Sequence, residues 1–554
     1  MVDLLSDSIY GCFEEVSERN PDKPALICLG EKYSYSHLKE MVLSFAASLH
    51  QLEVREGDRV ILYLYNLPQT ILACLALRRL NAVPVMVAPV YTSYDLRYLA
   101  NDSGAELVIC MDTNLNYVLH VLPDSRLKRV IVTRTFDLIP WWKKLIAQAF
   151  DRVPRGVFPS GRDFFSFGDL LRDGRPSALP PFRAMGGHNT GLMLYTGGTT
   201  GLPKGVPIPE GLFLYKVKEW RRAEEGVIPP GEDVVILGGP LYHIIGQATM
   251  AAPLLICGES LIVLPRVVLD ATFDHVQRYE GKSMFGVPTI YRMILEHDRV
   301  DYYDLSSFRY CGTGGDVLPL EVANRWFKKY GIPLYQGYGA TETGGLVSIC
   351  YSEDGPPPEG SAGRILPGVE FKLVNSDTLE SVPPGQPGEL LVTSPYAVNG
   401  YWNKPEETAE CFIEMEGRAW YRTKDVVRVD EDGFLFFEDR SVDIIKHKGY
   451  RIAAAEVERV LQEHSSVVSA CVVGIPDPMV GERIKAFVVL REDVKGISGH
   501  DLQRWCRHRL PPYKVPSYIE VRDMLPKSKV GKFLRRELRD EESRKMKGSW
   551  AERQ

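Results

Sequence analysis

A chain of 554 residues exceeds what a single hydrophobic core fills, so two or more domains are expected. Its composition, 45% apolar and 25% charged, is that of an ordinary globular protein, and a net charge of −6 argues against general nucleic-acid binding. Ten cysteines are scattered without a C-x-x-C pair or metal-like spacing, which points to reduced thiols in a cytoplasmic setting. The opening MVDLLSDSIYGCFEE lacks the basic and apolar regions of a signal peptide, and no uncharged apolar run approaches membrane-spanning length.

In chain order, the run RVILYLYN (59–66) reads as a buried strand, followed by a helix near Gln69–Leu80. ELVIC (106–110), RVIVT (129–133), DVVILGG (233–239) and ESLIVLP (259–265) repeat the strand pattern between helical stretches. Buried strands alternating with helices predict an α/β fold with largely parallel, doubly wound sheets. From Gly360 to Leu391, glycine and proline crowd around short strands, the texture of a small β-rich subdomain. After Arg440 a smaller α+β unit is expected, with a helix near Ala454–His464 and strands at CVVGIP and IKAFVVL. The polar tail EESRKMKGSWAERQ reads as frayed.

One segment, PWWKKLIAQAFDRV (140–153), places Trp141, Trp142, Leu145, Ile146, Ala149, Phe150 and Val153 on one helical face and Lys143, Lys144, Gln148, Asp151 and Arg152 on the other. A basic helix with tryptophans suits a membrane interface. The plainer reading is a surface helix packed on its own domain.

Four stretches carry chemistry. YTGGTTGLPKG (195–205) combines glycines for close backbone approach, the hydroxyls of Thr196, Thr199 and Thr200, and the ammonium of Lys204, a set suited to a polyphosphate. It departs from the Walker pattern, because Lys204 follows Pro203 and precedes Gly205. In YQGYGATETGG (335–345), Gly337 and Gly339 flank Tyr338, so a turn there could set an aromatic face against a base. Thr341 and Glu342 then pair a hydroxyl with a carboxylate, hard oxygen ligands for Mg²⁺. In the stretch 421–458, the carboxylate of Asp425 could accept from two ribose hydroxyls, and Arg440 supplies a guanidinium fork. LPKSKVGKFLRREL (525–538) places Lys532 after Gly531, a pattern that alone reads as a solvated basic helix start.

In this order and spacing the four stretches resemble the adenylate-forming superfamily of acyl-CoA ligases, luciferases and adenylation domains, over nearly the whole chain. PLYHIIG (240–246), GVPTIYRMIL (286–295), YCGTGGDVLP (310–319) and GSAGRILPGVE (360–370) add to the likeness. YTGGTTG and residues 88–109 look most like bacterial fatty-acyl-CoA ligases, whereas IKHKGYRIAAAEVE (445–458) is similar to the 4-coumarate ligase and luciferase version.

The resemblance implies a large N-terminal adenylation domain over 1–439, built of two doubly wound α/β subdomains and a small β-barrel-like one, and a mobile α+β domain over 440–554. It implies ATP, Mg²⁺ and CoA as cofactors and a two-step ligation of a carboxylic acid to CoA. Carried over residue by residue, Thr196, Gly197, Gly198, Thr199, Thr200, Gly201 and Lys204 would hold the β- and γ-phosphates, with Thr196 also at the metal. Gly314, Gly315 and Asp316 would line the adenine with Gly337, Tyr338 and Gly339. Thr341 would touch the α-phosphate, Glu342 would bind Mg²⁺, and Asp425 and Arg440 would hold the ribose. Lys532 would bridge the acid and the α-phosphate. His243 and Ala340 would border the acyl pocket, with a hydrogen-bonded core histidine as the competing reading of His243. Lys446, Lys448 and Gly449 would serve the thioester step after the C-terminal domain turns.

The sequence also departs from the family pattern. Lys424 and Asp439 stand where glycine is usual, Val442 holds the hinge position usually taken by Asp or Lys, Asp316 replaces a common Ala, and Ala340 is smaller than the usual Met or Leu. The front of the chain favours an apolar, fatty acid, and the hinge loop keeps aromatic acids open. Alternatives are an acyl-AMP ligase that passes its product to a carrier protein, and a nucleotide-binding regulator without activity.

Overall fold

The computed structural model describes residues 6–140, 161–196, 202–265, 268–440, 444–447, 450–477, 480–491, 494, 496–510, 512–527 and 534–551. The amphipathic segment expected over 141–153, the loop glycines and threonines 197–201, and Val442, Lys448, Gly449 and Lys532 lie outside them. For Asp439, Arg440 and Lys446 the description is of the backbone.

The apolar runs read from the sequence are strands of two parallel sheets. One has seven strands in the order 164–166, 129–133, 107–111, 59–63, 83–86, 190–196 and 204–209. Every neighbouring pair is parallel except the last, an antiparallel hairpin. Leu107–Met111 is buried at all its positions, as a strand covered on both faces must be. The second parallel sheet runs through 24–28, 260–262, 234–236, 283–286, 310–313 and 334–340, with Glu31–Ser34 antiparallel at its edge.

The helix expected near 69–80 is Pro68–Arg79. Proline opens it, where the missing N–H costs nothing, and every residue of it is buried. Both of its buried arginines find partners: Arg79 donates to the Pro180 carbonyl at 2.6 Å, and Arg78 pairs with Glu210, the first residue of the helix Glu210–Glu224, through Nε at 3.0 Å and through Nη2. Farther along that helix, Arg221 forks onto Glu259 at 2.7–3.0 Å, and the Gly231 N–H also donates to this carboxylate at 2.9 Å. Breaking either pair would leave a buried charge uncompensated, at a cost of about 3–5 kcal/mol.

The glycine- and proline-rich stretch contributes Ser361–Ile365, Glu370–Val374 and Gly388–Thr393 to an antiparallel sheet. This sheet is continuous with the second parallel one through a single strand. Cys311–Thr313 pair in parallel with Leu334–Gln336, and Gly337–Ala340 then pair antiparallel with Gly345–Ile349. The antiparallel sheet includes the strand Phe434–Arg440, and a separate sheet begins with Ile444–His447, joined by Val467–Asp477 and Gly481–Leu490. The helix expected after Arg440 is Ala454–Gln462. All ten cysteines are free thiols.

The tail differs from expectation. Residues 541–551 continue the helix Arg535–Ala551 instead of fraying. Glu541 accepts from Arg522 at 2.7 and 2.9 Å, and Glu542 pairs with Lys485 at 2.8 Å. Leu538 is buried against Val473, Ile475 and Phe487. Residues that read as a frayed tail meet partners on the strand Gly481–Leu490 and just after the strand Tyr518–Val521.

Candidate active site

The phosphate-loop candidate closes the hairpin in which Thr196 is registered opposite Lys204. Both stems are tied to distant elements. The Tyr195 hydroxyl donates to Asp102 Oδ2 at 2.7 Å, and the Tyr98 hydroxyl donates to the Pro203 carbonyl at 2.8 Å. The Trp402 N–H donates to the Gly205 carbonyl at 2.8 Å. A Cβ on Gly205 would lie 3.2 Å from both Trp402 Cβ and the Tyr195 ring, so glycine lets the three segments close. Asp102 also receives Trp402 Nε1 and Asn403 Nδ2 on its carbonyl at 3.0 and 3.1 Å.

Lys204 projects its ammonium over the Tyr401 ring, 4.2 Å from the centroid. The hydroxyl of the same tyrosine donates to Glu342 Oε1 at 2.9 Å. Burial and the negative charge of Glu342 push the Tyr401 phenol far above its ordinary range, so it stays a donor. Glu342 sits in the single turn Thr341–Thr343 at the end of the strand Leu334–Ala340. Thr343 closes that turn, accepting from the Ala340 N–H at 3.0 Å and donating to the Gly345 carbonyl at 2.6 Å.

On the same strand the Tyr338 hydroxyl donates to Asp425 Oδ2 at 2.6 Å. The two residues are 87 positions apart in sequence. Burial, then the charge of Asp425, raises the Tyr338 pKa well above its usual value. Tyr338 is therefore bonded through its hydroxyl to the candidate ribose acid, a link the sequence did not reveal. Asp425 is registered opposite Arg440 on neighbouring strands, so the hairpin between them brings the two ribose candidates side by side. Lys424, standing where glycine is usual, has φ +58°, the left-handed region that explains the glycine preference, and its ammonium pairs with Glu410.

The adenine candidates follow the strand Tyr310–Thr313. A Cβ on Gly314 would lie 2.8 Å from the Gly337 carbonyl, so the two glycine motifs touch. Gly315 has φ +80° and is exposed. Asp316 is exposed too, and its side chain accepts from the Val317 N–H at 2.8 Å. Gly339 lies so close to Gly345 that a Cβ would meet the latter's carbonyl oxygen at 2.1 Å.

His243 caps the helix Ile244–Ala252, its Nδ1 accepting from the Ile245 N–H at 3.3 Å. That helix start abuts the glycine motifs, with Ile245 Cδ1 3.3 Å from a Cβ built on Gly315 and Ile244 Cγ1 3.4 Å from one on Gly345. Ala340 is half-buried at the end of its strand. Lys446 is on the strand Ile444–His447, which belongs to a different sheet from these groups.

Among the described residues no group of three or more His, Cys, Asp or Glu side chains could hold a metal by itself. A single carboxylate, Glu342, suits Mg²⁺ that arrives on a phosphate, since this ion is commonly bound through one or two carboxylates, waters and phosphate oxygens. Two residues that support these candidates escaped the sequence analysis: Tyr401, which precedes Trp402 in a loop, and Asp102, an ordinary helical acid.

Paired parallel α/β sheets carrying glycine loops at their strand ends, followed by a small separate sheet, define a nucleotide-using α/β enzyme. The chain belongs to the AMP-binding enzyme family: residues 13–402 match that family, and residues 456–532 match the AMP-binding enzyme C-terminal domain. It is 33% identical over 545 residues to a long-chain-fatty-acid–CoA ligase of Escherichia coli O6:H1, covering 96% of this chain and 94% of the relative. It is 30% identical over 535 residues to 4-coumarate–CoA ligase 2 of Oryza sativa subsp. japonica, covering 95% and 91%. The fold matches the crystal structure of the anthranilate CoA ligase AuaEII in complex with anthranoyl-AMP, with a TM-score of 0.84 at 23% identity and 97% of each chain covered.

Proposed function

We propose that this protein is an ATP-dependent acyl-CoA ligase acting on a fatty acid. A carboxylate oxygen bonds to the α-phosphorus of ATP and pyrophosphate leaves. The sulfur of CoA then bonds to the acyl carbon, AMP leaves, and the thiol proton goes to solvent. The observation that carries the reading is the convergence of Lys204 and Glu342 on one tyrosine, beside the Tyr338–Asp425 pair. A cation, a carboxylate for Mg²⁺ and a ribose acceptor, linked through Tyr401 and Tyr338, are what a Mg·ATP site requires. The long-chain-fatty-acid–CoA ligase relatives support the apolar acid, and the 4-coumarate–CoA ligase relative supports a second, aromatic reading.

In this reading the loop 196–201 and Lys204 hold the outer phosphates, and Glu342 holds Mg²⁺, which supplies charge neutralisation where an anion approaches a polyanion. Gly314 to Asp316 and Gly337 to Gly339 frame the adenine, Thr341 meets the α-phosphate, and Asp425 and Arg440 meet the ribose. Lys532 serves adenylation. Residues 440–554 then turn to present Lys446, Lys448 and Gly449 for thioester formation, and the separate sheet that starts at Ile444 supports such a unit.

No described helix is long and apolar enough to cross a membrane. Peripheral contact through 140–153 would let the enzyme draw its acid from a bilayer, and retention on anionic vesicles that is lost on Trp141→Ser with Trp142→Ser tests it. ATP–pyrophosphate exchange across acids from benzoates to palmitate, followed by CoA-dependent AMP release, tests the function. Exchange with fatty acids and AMP release with CoA are expected. Exchange without CoA-dependent release points to a carrier-protein acceptor, and exchange with no acid overturns the proposal.

A further inference from the structure

Lys204 and Glu342 carry opposite charges at one site, yet among the described residues no carboxylate lies within ion-pair distance of Lys204. The group between them is Tyr401. Its hydroxyl is 2.9 Å from Glu342 Oε1, and its ring face is 4.2 Å from Lys204 Nζ. The tyrosine is 7% exposed and held on several sides. Its N–H donates to Thr408 Oγ1 at 2.9 Å, and its ring packs edge-on against Phe412 at 5.4 Å. The next residue, Trp402, is bonded to Gly205, the neighbour of Lys204. Glu410 is also near enough to feel Lys204, but it is already paired with Lys424, which holds its carboxyl below the usual range.

We infer that Tyr401 is a positioning residue that keeps Lys204 and Glu342 apart and aimed at the nucleotide, its ring seating the ammonium and its hydroxyl holding the carboxylate. The inference rests on the proposed ATP site. A lysine and a glutamate at a half-desolvated site would otherwise pair with each other, and that pair would have to break before phosphate and Mg²⁺ could bind. A ring face and a phenol are neutral partners that leave the ammonium's other donors for a phosphate and the second carboxylate oxygen for a metal ion, so neither contact has to break on binding. Tyr401 thus gives the ligand-free site a separated pair of charges.

The test uses full-length protein and ATP binding by calorimetry, with EDTA and then with Mg²⁺ titrated in. Tyr401→Phe keeps the ring and loses the hydroxyl. It should leave Mg-free ATP affinity within about twofold of wild type and raise the half-saturating Mg²⁺ about tenfold, the scale of one charge-assisted hydrogen bond. Tyr401→Leu removes both contacts and should also weaken Mg-free ATP binding by about tenfold, because Lys204 is released to pair with Glu342. Adding Glu342→Gln to Tyr401→Leu removes that competitor and should restore Mg-free affinity, which a packing defect would not allow. Should Tyr401→Leu not fold, the Mg²⁺ titration of Tyr401→Phe decides alone. Wild-type Mg²⁺ dependence in Tyr401→Phe, or no restoration by Glu342→Gln, overturns the inference while the ATP site stands. Wild-type protein that binds no ATP overturns both.

Discussion

Lys216, on the helix Glu210–Glu224, is 2% exposed and lines a cavity that also touches Glu342, Thr343 and Tyr421. Burial pulls its pKa from 10.5 down to about 7, against the partial support of Glu219. The folded pKa lies below the unfolded one, so between about pH 7 and the ordinary lysine range the unfolded chain binds the extra proton and stability rises with pH. Lys216→Met should therefore be more stable than wild type at pH 6.5, by on the order of 3–5 kcal/mol, with the gap narrowing to about 1–2 kcal/mol at pH 9.5 in urea melts at the two pH values. Lys424 offers a second case. Its φ of +58° strains any side chain, so Lys424→Val should cost about 1–2 kcal/mol while Lys424→Gly costs nothing measurable in Tm. Both residues bear on how much the sequence disclosed. The close approaches at Gly314 and Gly339 were legible because a Cβ there would strike a backbone oxygen, which leaves glycine in the sequence. The misfit at 424 was legible only as a departure from pattern, since φ is not written in composition. Tyr401 was illegible because its partner Glu342 is 59 positions away and a lone tyrosine in a loop has many possible uses.

At the scale of elements, the strand Leu334–Ala340 carries four of the candidate residues, Gly337 to Ala340, and its second half needs glycine. Gly339→Ala would place a methyl 2.1 Å from a backbone oxygen that pairing holds in place. The expected cost is about 3 kcal/mol or more, read as lost Tm together with lost ATP binding. The loop hairpin depends instead on side chains from elsewhere. Asp102→Ala releases the Tyr195 hydroxyl at 2.7 Å, and it should weaken ATP binding several-fold with a smaller effect on the melting temperature. The strands were read well from the sequence because buried β-branched runs between helices have few other solutions. RVIVT, for example, is the strand Arg129–Thr133 without adjustment. The tail was misread as frayed because it is polar, whereas Glu541 and Glu542 are paired with Arg522 and Lys485. Side-chain partners across tens of residues leave no local signal.

For the whole molecule, the proposed division of labour between residues 1–439 and 440–554 makes a kinetic prediction. Lys532→Ala should lower acyl-AMP formation by about 10²–10³ while thioester formation from supplied acyl-AMP continues. Equal loss in both steps, measured by single-turnover assays, would count against a turning C-terminal unit. The separate sheet that begins at Ile444 was legible as a change of texture after Arg440. That the glycine-rich subdomain is an extension of a parallel sheet was not, because strand order is set by tertiary packing. The shared strand has its own consequence. Leu334–Gln336 hold one sheet and Gly337–Ala340 the other, so neither sheet can come undone without unzipping the seam that borders its neighbour. Amide protons on the two flanks, such as those of Thr313 and Leu346, should thus trade with deuterium in a single concerted opening, and the floor of the nucleotide cleft would be among the last parts of the protein to let solvent in.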